Sequence, residues 1–241
     1  MQSKLVAGLT ATLLLAGLVR AEGFTVSGKV MDERGQPVPG IELGTHWEIN
    51  ADDAFTTEGV ETDEQGAFVL ELGRFRPPVF VLALDLEGKR AGLLTIDSEE
   101  ALEQQHEVVL APTVQVTASF SSPAKEGQAT WVSAVFIVGG RARLVSTNTT
   151  TAAISLPLPP GAYKLWLHGR DVRDLARDVT VPAGTEAHDV GSIELQPTII
   201  AEHVGKAPPA WNVTEARGVE PDVTLADYSG KWVLLEFWGY W

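Results

Sequence analysis

Short apolar runs separated by Gly and Pro turns set the tightest limit on what this chain can fold into. Phe24, Val26, Gly28 and Val30 alternate with Thr25, Ser27 and Lys29, the period of a half-buried strand. Asp32-Glu33-Arg34-Gly35-Gln36-Pro37 and Asp63-Glu64-Gln65-Gly66 are turn chemistry. Ala67 to Leu72, Val79 to Leu84 and Glu107 to Leu110 read as further strands. Strands this short, spaced this closely, predict a β-sandwich over residues 22–112.

The residues in that unit resemble the carboxypeptidase-regulatory-like (Cna-B-like, transthyretin-like) sandwich family. Its Val-x-Gly-x-Val-x-Asp-x-x-Gly-x-Pro-Val-x-Gly run is matched by Val26 to Gly40, and its Thr-Asp-x-x-Gly-x-Phe run by Thr62 to Phe68. The resemblance implies an accessory module, and the family name does not itself imply peptidase activity, since chemistry sits on sites and not on folds.

A second sandwich is expected over 113–198. Val114, Val116 and Ala118 alternate with polar residues, and Trp131 to Val138 is a long apolar run. Leu158-Pro159-Pro160-Gly161-Ala162-Tyr163 is a Pro-Gly turn entering an alternating strand, and it is similar to the Leu-x-Pro-Gly-x-Tyr segment of the same family. Leu110-Ala111-Pro112-Thr113 and Leu195-Gln196-Pro197-Thr198 close the two units alike, 85 residues apart, as a repeat of one module would. The second unit lacks the Asp-x-x-Gly-x-Pro turn.

The last run, Gly230 to Trp241, places apolar and aromatic residues around one carboxylate, Glu236, as in a strand buried on both faces. It resembles the thioredoxin-like family's Gly-Lys-(apolar)-Leu-Leu-x-Phe-Trp-x-x-Trp-Cys-x-x-Cys run up to the Trp before the first cysteine. Gly205 to Trp211 and Val223 to Lys231 resemble that family's lead-in. The resemblance implies that 199–241 is the start of a thioredoxin-like domain cut before its redox pair. It also implies that Glu236 would serve proton transfer to a resolving thiol and that Trp238 and Trp241 would shape the site. An exposed edge residue and ordinary aromatic packing are the alternatives. The chain has no cysteine. The implied attack of a thiolate on a disulfide therefore has no nucleophile within these residues, and disulfides and thiolate metal sites are excluded as well.

Met1 to Ala21 reads as a secretory signal peptide: Lys4, then an apolar stretch from Leu5 to Leu18, then Val19-Arg20-Ala21 with small residues at the cleavage positions. Export to the periplasm or cell exterior follows, with no membrane association after cleavage. A formal net charge of −14 argues against nucleic acid as a partner. No cofactor and no metal are expected. His46, His106, His168, His188 and His203 lack ligand spacing. The acids from Asp52 to Glu64 lack the order of a calcium loop and read as a solvated loop. Arg170 to Asp178 alternates charge and reads as a loop or short helix. No Gly-x-Ser-x-Gly elbow occurs.

The expected fold class is mainly β: two tandem antiparallel sandwiches followed by an incomplete thioredoxin-like α/β start. Three functions stay open. One is an exported thiol–disulfide oxidoreductase acting on protein thiols or a redox partner, with its cysteines beyond Trp241. Another is a redoxin-type peroxidase of the same layout. The third is a non-catalytic exported β-sandwich binding or scaffold protein.

Overall fold

The computed structural model describes residues 23–49, 55–73, 76–123, 131–207, 210, 215, 217–234 and 236. The first seven strands are β1 (Phe24–Met31), β2 (Glu42–Ile49), β3 (Phe55–Glu61), β4 (Ala67–Gly73), β5 (Val79–Asp85), β6 (Arg90–Ile96) and, after the short helix α1 (Glu99–Leu102), β7 (Gln105–Val109). The two-residue β8 (Ala111–Pro112) links them to a second set. That set comprises β9 (Val114–Ser121), β10 (Val132–Val138), β11 (Ala142–Thr149), β12 (Ala153–Leu158), β13 (Gly161–Gly169), β14 (Val172–Val181) and β15 (Ala187–Glu194). The short helix α2 (Ile199–His203) and a 3-10 turn (Leu225–Tyr228) follow.

The strands form where side chains alternate. In β4, Phe68, Leu70 and Leu72 are buried while Val69 and Glu71 face solvent. The two Asp-Glu-x-Gly turns fold identically. Asp32 and Asp63 each accept, through Oδ1, backbone N–H groups two and four residues on, at 2.9 and 2.8 Å. The Gly of each turn adopts the left-handed region, φ 74° at Gly35 and 71° at Gly66. These backbone hydrogen bonds hold the exposed Asp32 carboxyl below the usual range. The second turn lies against β1: the Val30 N–H donates to the Gly66 carbonyl at 2.8 Å.

Three sheets result. One runs β4-β1-β7 and another β12-β9-β15. Between them lies a nine-stranded sheet, β14-β13-β10-β11-β2-β5-β6-β8, with β3 also on β2. The repeat is visible strand for strand. In each set of seven, the first strand sits between the fourth and the seventh, and the second, third, fifth and sixth enter the shared sheet in the same order. The closing residues match too. Leu110 N–H donates to Met31 O at 2.8 Å and Leu195 N–H to Ser121 O at 2.7 Å, so each buried Leu is tied to the end of its unit's first strand.

Three expectations need correction. The sandwiches are not purely antiparallel: β1 with β7, β9 with β15, and β2 with β11 pair in parallel. The seventh strand of each unit crosses over from the shared sheet and so can enter alongside the first in the same direction. The charge-alternating stretch Arg170 to Asp178 is no loop or helix but lies almost entirely in β14, an edge strand whose exposed charges guard an open ladder. The final run is not a buried strand in its described part. Trp232, Val233, Leu234 and Glu236 are irregular and exposed. A doubly buried strand needs neighbours on both edges and layers over both faces. Among the described residues nothing packs on this run in that way, and they show no thioredoxin-like α/β start. Residues 1–21, expected to form a signal peptide, lie outside the described residues, and no described helix is long and apolar enough to cross a membrane.

The two units have separate cores that share strand β5. Val79, Val81 and Ala83 of β5 belong to one cluster with Val26, Phe68, Leu70 and Val108. Phe80, Leu82 and Leu84 belong to the other, with Val116, Leu144, Leu156 and Leu165. Successive residues of a strand point to opposite faces, so the two three-stranded sheets cover opposite faces of the shared one. Trp47 of β2 also enters the second unit's core. It is 1% exposed, and its Nε1–H donates to Leu82 O at 3.1 Å. Its backbone pairs in parallel with Val145.

Trp47→Ala is expected to cost about 3–5 kcal/mol in urea denaturation and to lower hydrogen-exchange protection in β10 and β11. Loss confined to β2 and β5 would show the cores to be independent. Tyr163 provides a second test. It is 4% exposed, its hydroxyl donates to Pro159 O at 2.7 Å, and burial pushes its phenol well above the ordinary tyrosine range. A folded-state pKa above the unfolded value stabilises fully below about pH 10, and that contribution is lost as pH rises beyond it. Tyr163→Phe should cost about 1 kcal/mol at pH 8 and weaken the alkaline decline of stability, followed by guanidinium denaturation between pH 8 and 11.

Candidate functional site

Of the redox-site residues expected from the sequence, only Glu236 falls among the described residues. Glu236 is exposed outside any regular element, and Trp238 and Trp241 lie outside the described residues. The histidines scatter. His46 Nε2 hydrogen-bonds Ser146 Oγ at 2.9 Å, His106 donates to Ala101 O at 2.8 Å, and His203 to Ile199 O at 2.7 Å. His188 sits half-buried on β15 opposite Val116. Among the described residues no three His, Cys, Asp or Glu side chains converge to hold a metal. The acidic stretch is no single loop: Glu58 and Glu61 lie on β3, Asp63 holds the second Gly turn, and Asp52 and Asp53 fall outside the described residues.

A different site emerges from the sheet arrangement. The β12-β9-β15 sheet covers one face of β10, β11, β13 and β14, and among the described residues no other sheet covers their second face. The parity of β13 decides what it carries. Tyr163, Leu165 and Leu167 point into the core, so Lys164, Trp166 and His168 point out. The register sets Ser133 opposite His168 and Val135 opposite Trp166, with Ile137 opposite Arg143 on the next strand.

These side chains form a row. The Arg143 guanidinium lies 5.4 Å from the Trp166 ring centroid, a cation–π contact. Trp166 stacks on His168 at 5.8 Å with an interplanar angle of 24°. Trp131, 41% exposed, meets His168 edge-on at 6.2 Å. The His168 Nδ1–H donates to Asp174 Oδ1 at 2.6 Å. Lys164 pairs with Asp178 at 3.5 Å along the rim. The rings are held in fixed relation by one another and by the strands, and both signs of charge border them. Such a surface suits recognition by apolar and polar contact together.

Sequence reasoning treated His168 only as a metal candidate. The alternation of Tyr163 to Leu167 already marked Trp166 and His168 as outward. The neighbourhood of Trp131 and Arg143 depends on register between strands distant in sequence.

No family model matches the chain, and no curated protein matches it. Solved structures superpose loosely. The Bacillus anthracis TIE protein shares 8% identity at a TM-score of 0.33, over 73% of this chain and 34% of that one. The Streptococcal ancillary pilin shares 10% at 0.30, over 73% and 63%. BcpA, the major pilin subunit of Bacillus cereus, shares 11% at 0.31, over 73% and 60%. The chain thus spans about a third of the first protein and less than two thirds of the other two. Similarity at this level says nothing of activity.

Proposed function

We propose that this chain is a non-catalytic binding or scaffold unit of an exported protein, presenting the open sheet face from a stiff two-unit body. The observation that carries this is the two-sided burial of β5: each core is closed by three alternate residues of the same strand. A flexible pair of beads would place its surface groups at varying angles. A fused sheet fixes them. Calorimetry should show one cooperative transition, with calorimetric and van't Hoff enthalpies equal. Two resolved transitions would overturn the single stiff body.

A second reading is favoured by one observation at the other end. Trp232 and Leu234 stand almost wholly exposed beside the residues that resemble the thioredoxin-like run. A domain continuing past Trp241 would cover them. The sandwiches would then dock substrates or space the domain of a thiol–disulfide oxidoreductase or redoxin-type peroxidase. The coding sequence past the Trp241 codon and the intact mass of the native protein decide this. Cys-x-x-Cys followed by about a hundred residues would establish the redox reading; a stop codon at that point, with a native mass ending at Trp241, would remove it.

A further inference from the structure

We propose that the cleft where the two units meet binds a small organic carboxylate with an apolar body. The cleft has a volume of about 360 Å³ and is bordered by Arg76 from the first unit and by Arg141 and Arg143 from the second, with His46 and Thr45 beside them and Phe80 within it. Among the described residues no carboxylate lines it. The chain carries 32 Asp and Glu against 18 Lys and Arg. Three arginines with no acid in the described lining run against that composition.

The geometry preorganises the site. Arg143 is steadied by the Trp166 ring at 5.4 Å. Arg141 rides on the turn between β10 and β11, and that turn is pressed onto Phe80. Gly139 there has φ 55°, and a Cβ on it would lie 2.3 Å from Phe80 Cζ. Side chain and turn therefore keep a fixed distance. Arg76 is held by an exposed pair with Glu99 at 3.5 Å, which is weak and leaves it able to turn toward an anion. His46 is anchored to Ser146 of the second unit at 2.9 Å.

The ligand class follows from the two kinds of surface. Guanidiniums match a carboxylate or phosphate through paired N–H donors. Phe80, Val79 and Pro78 supply an apolar wall that inorganic phosphate would not use. An aromatic carboxylate satisfies both. The two units contribute opposite sides, so binding would also brace the seam.

The test is isothermal titration of the full chain with benzoate and phenylacetate, with inorganic phosphate and sodium chloride at matched ionic strength for comparison. The proposal expects saturable aromatic-carboxylate binding, weakened by added salt and at least tenfold by Arg141→Gln or Arg143→Gln. Both arginines are exposed, so an unchanged melting temperature checks that the variants fold. Absence of saturable binding overturns the proposal, as does binding that the double variant retains. Equal affinity for phosphate and benzoate, both lost in the double variant, overturns the assignment of a carboxylate with an apolar body.

Discussion

Strand β5 has no side to spare. Its residues from Val79 to Leu84 are buried alternately in two different cores. A polar side chain at any of them would be stranded without water in one cluster or the other, at a cost of several kcal/mol unless hydrogen-bonded. The lack of alternation is thus a consequence of position. The strand lies in the shared sheet, where one three-stranded layer presses from one face and the other layer from the opposite face. Trp47 reinforces this. Its side chain joins the second unit's core from a strand of the first, and its backbone lies against Val145.

Much of the layout was readable from local chemistry. Asp32 and Asp63 with their glycines mark turns because an Asp oxygen can accept two backbone N–H groups only when the chain folds tightly around it. The alternation in β4 and β13 marks half-buried strands, and the Leu-x-Pro-Thr closures mark the repeat. What escaped was non-local. The run Val79 to Leu84 announces burial on both faces but not which layer supplies the second one. The parallel pairing of β2 with β11 joins residues almost a hundred positions apart and leaves no local trace. The charges of β14 obscured a strand, because an edge strand uses them where an inner strand would carry valine. Apolar neighbours around Glu236 suggest a buried strand, but burial also requires something to pack against, and in the described structure Glu236 is exposed.

The candidate surface shows the same division. Trp166 and His168 could be placed outward by counting residues along β13. Their grouping with Arg143, Trp131 and Asp174 required the register of four strands. A carboxylate cleft formed by arginines of both units is further still from the sequence, since Arg76 and Arg141 converge only because the sheet is continuous.

The seam between β2 and β11 has a mechanical consequence. Among the described residues, Trp47, Glu48 and Ile49 pair across it, opposite Val145, Ser146 and Thr147. Side-chain packing adds to this ladder, with the buried Trp47 ring set in the second unit's core. Packing of that kind acts over distances of about an ångström, whereas a long ladder yields bond by bond. A pull that separates the two units would meet a stiff joint with almost no give. Once the indole left its socket the joint would open in a single step, so under tension this molecule would behave as a latch and not as a spring.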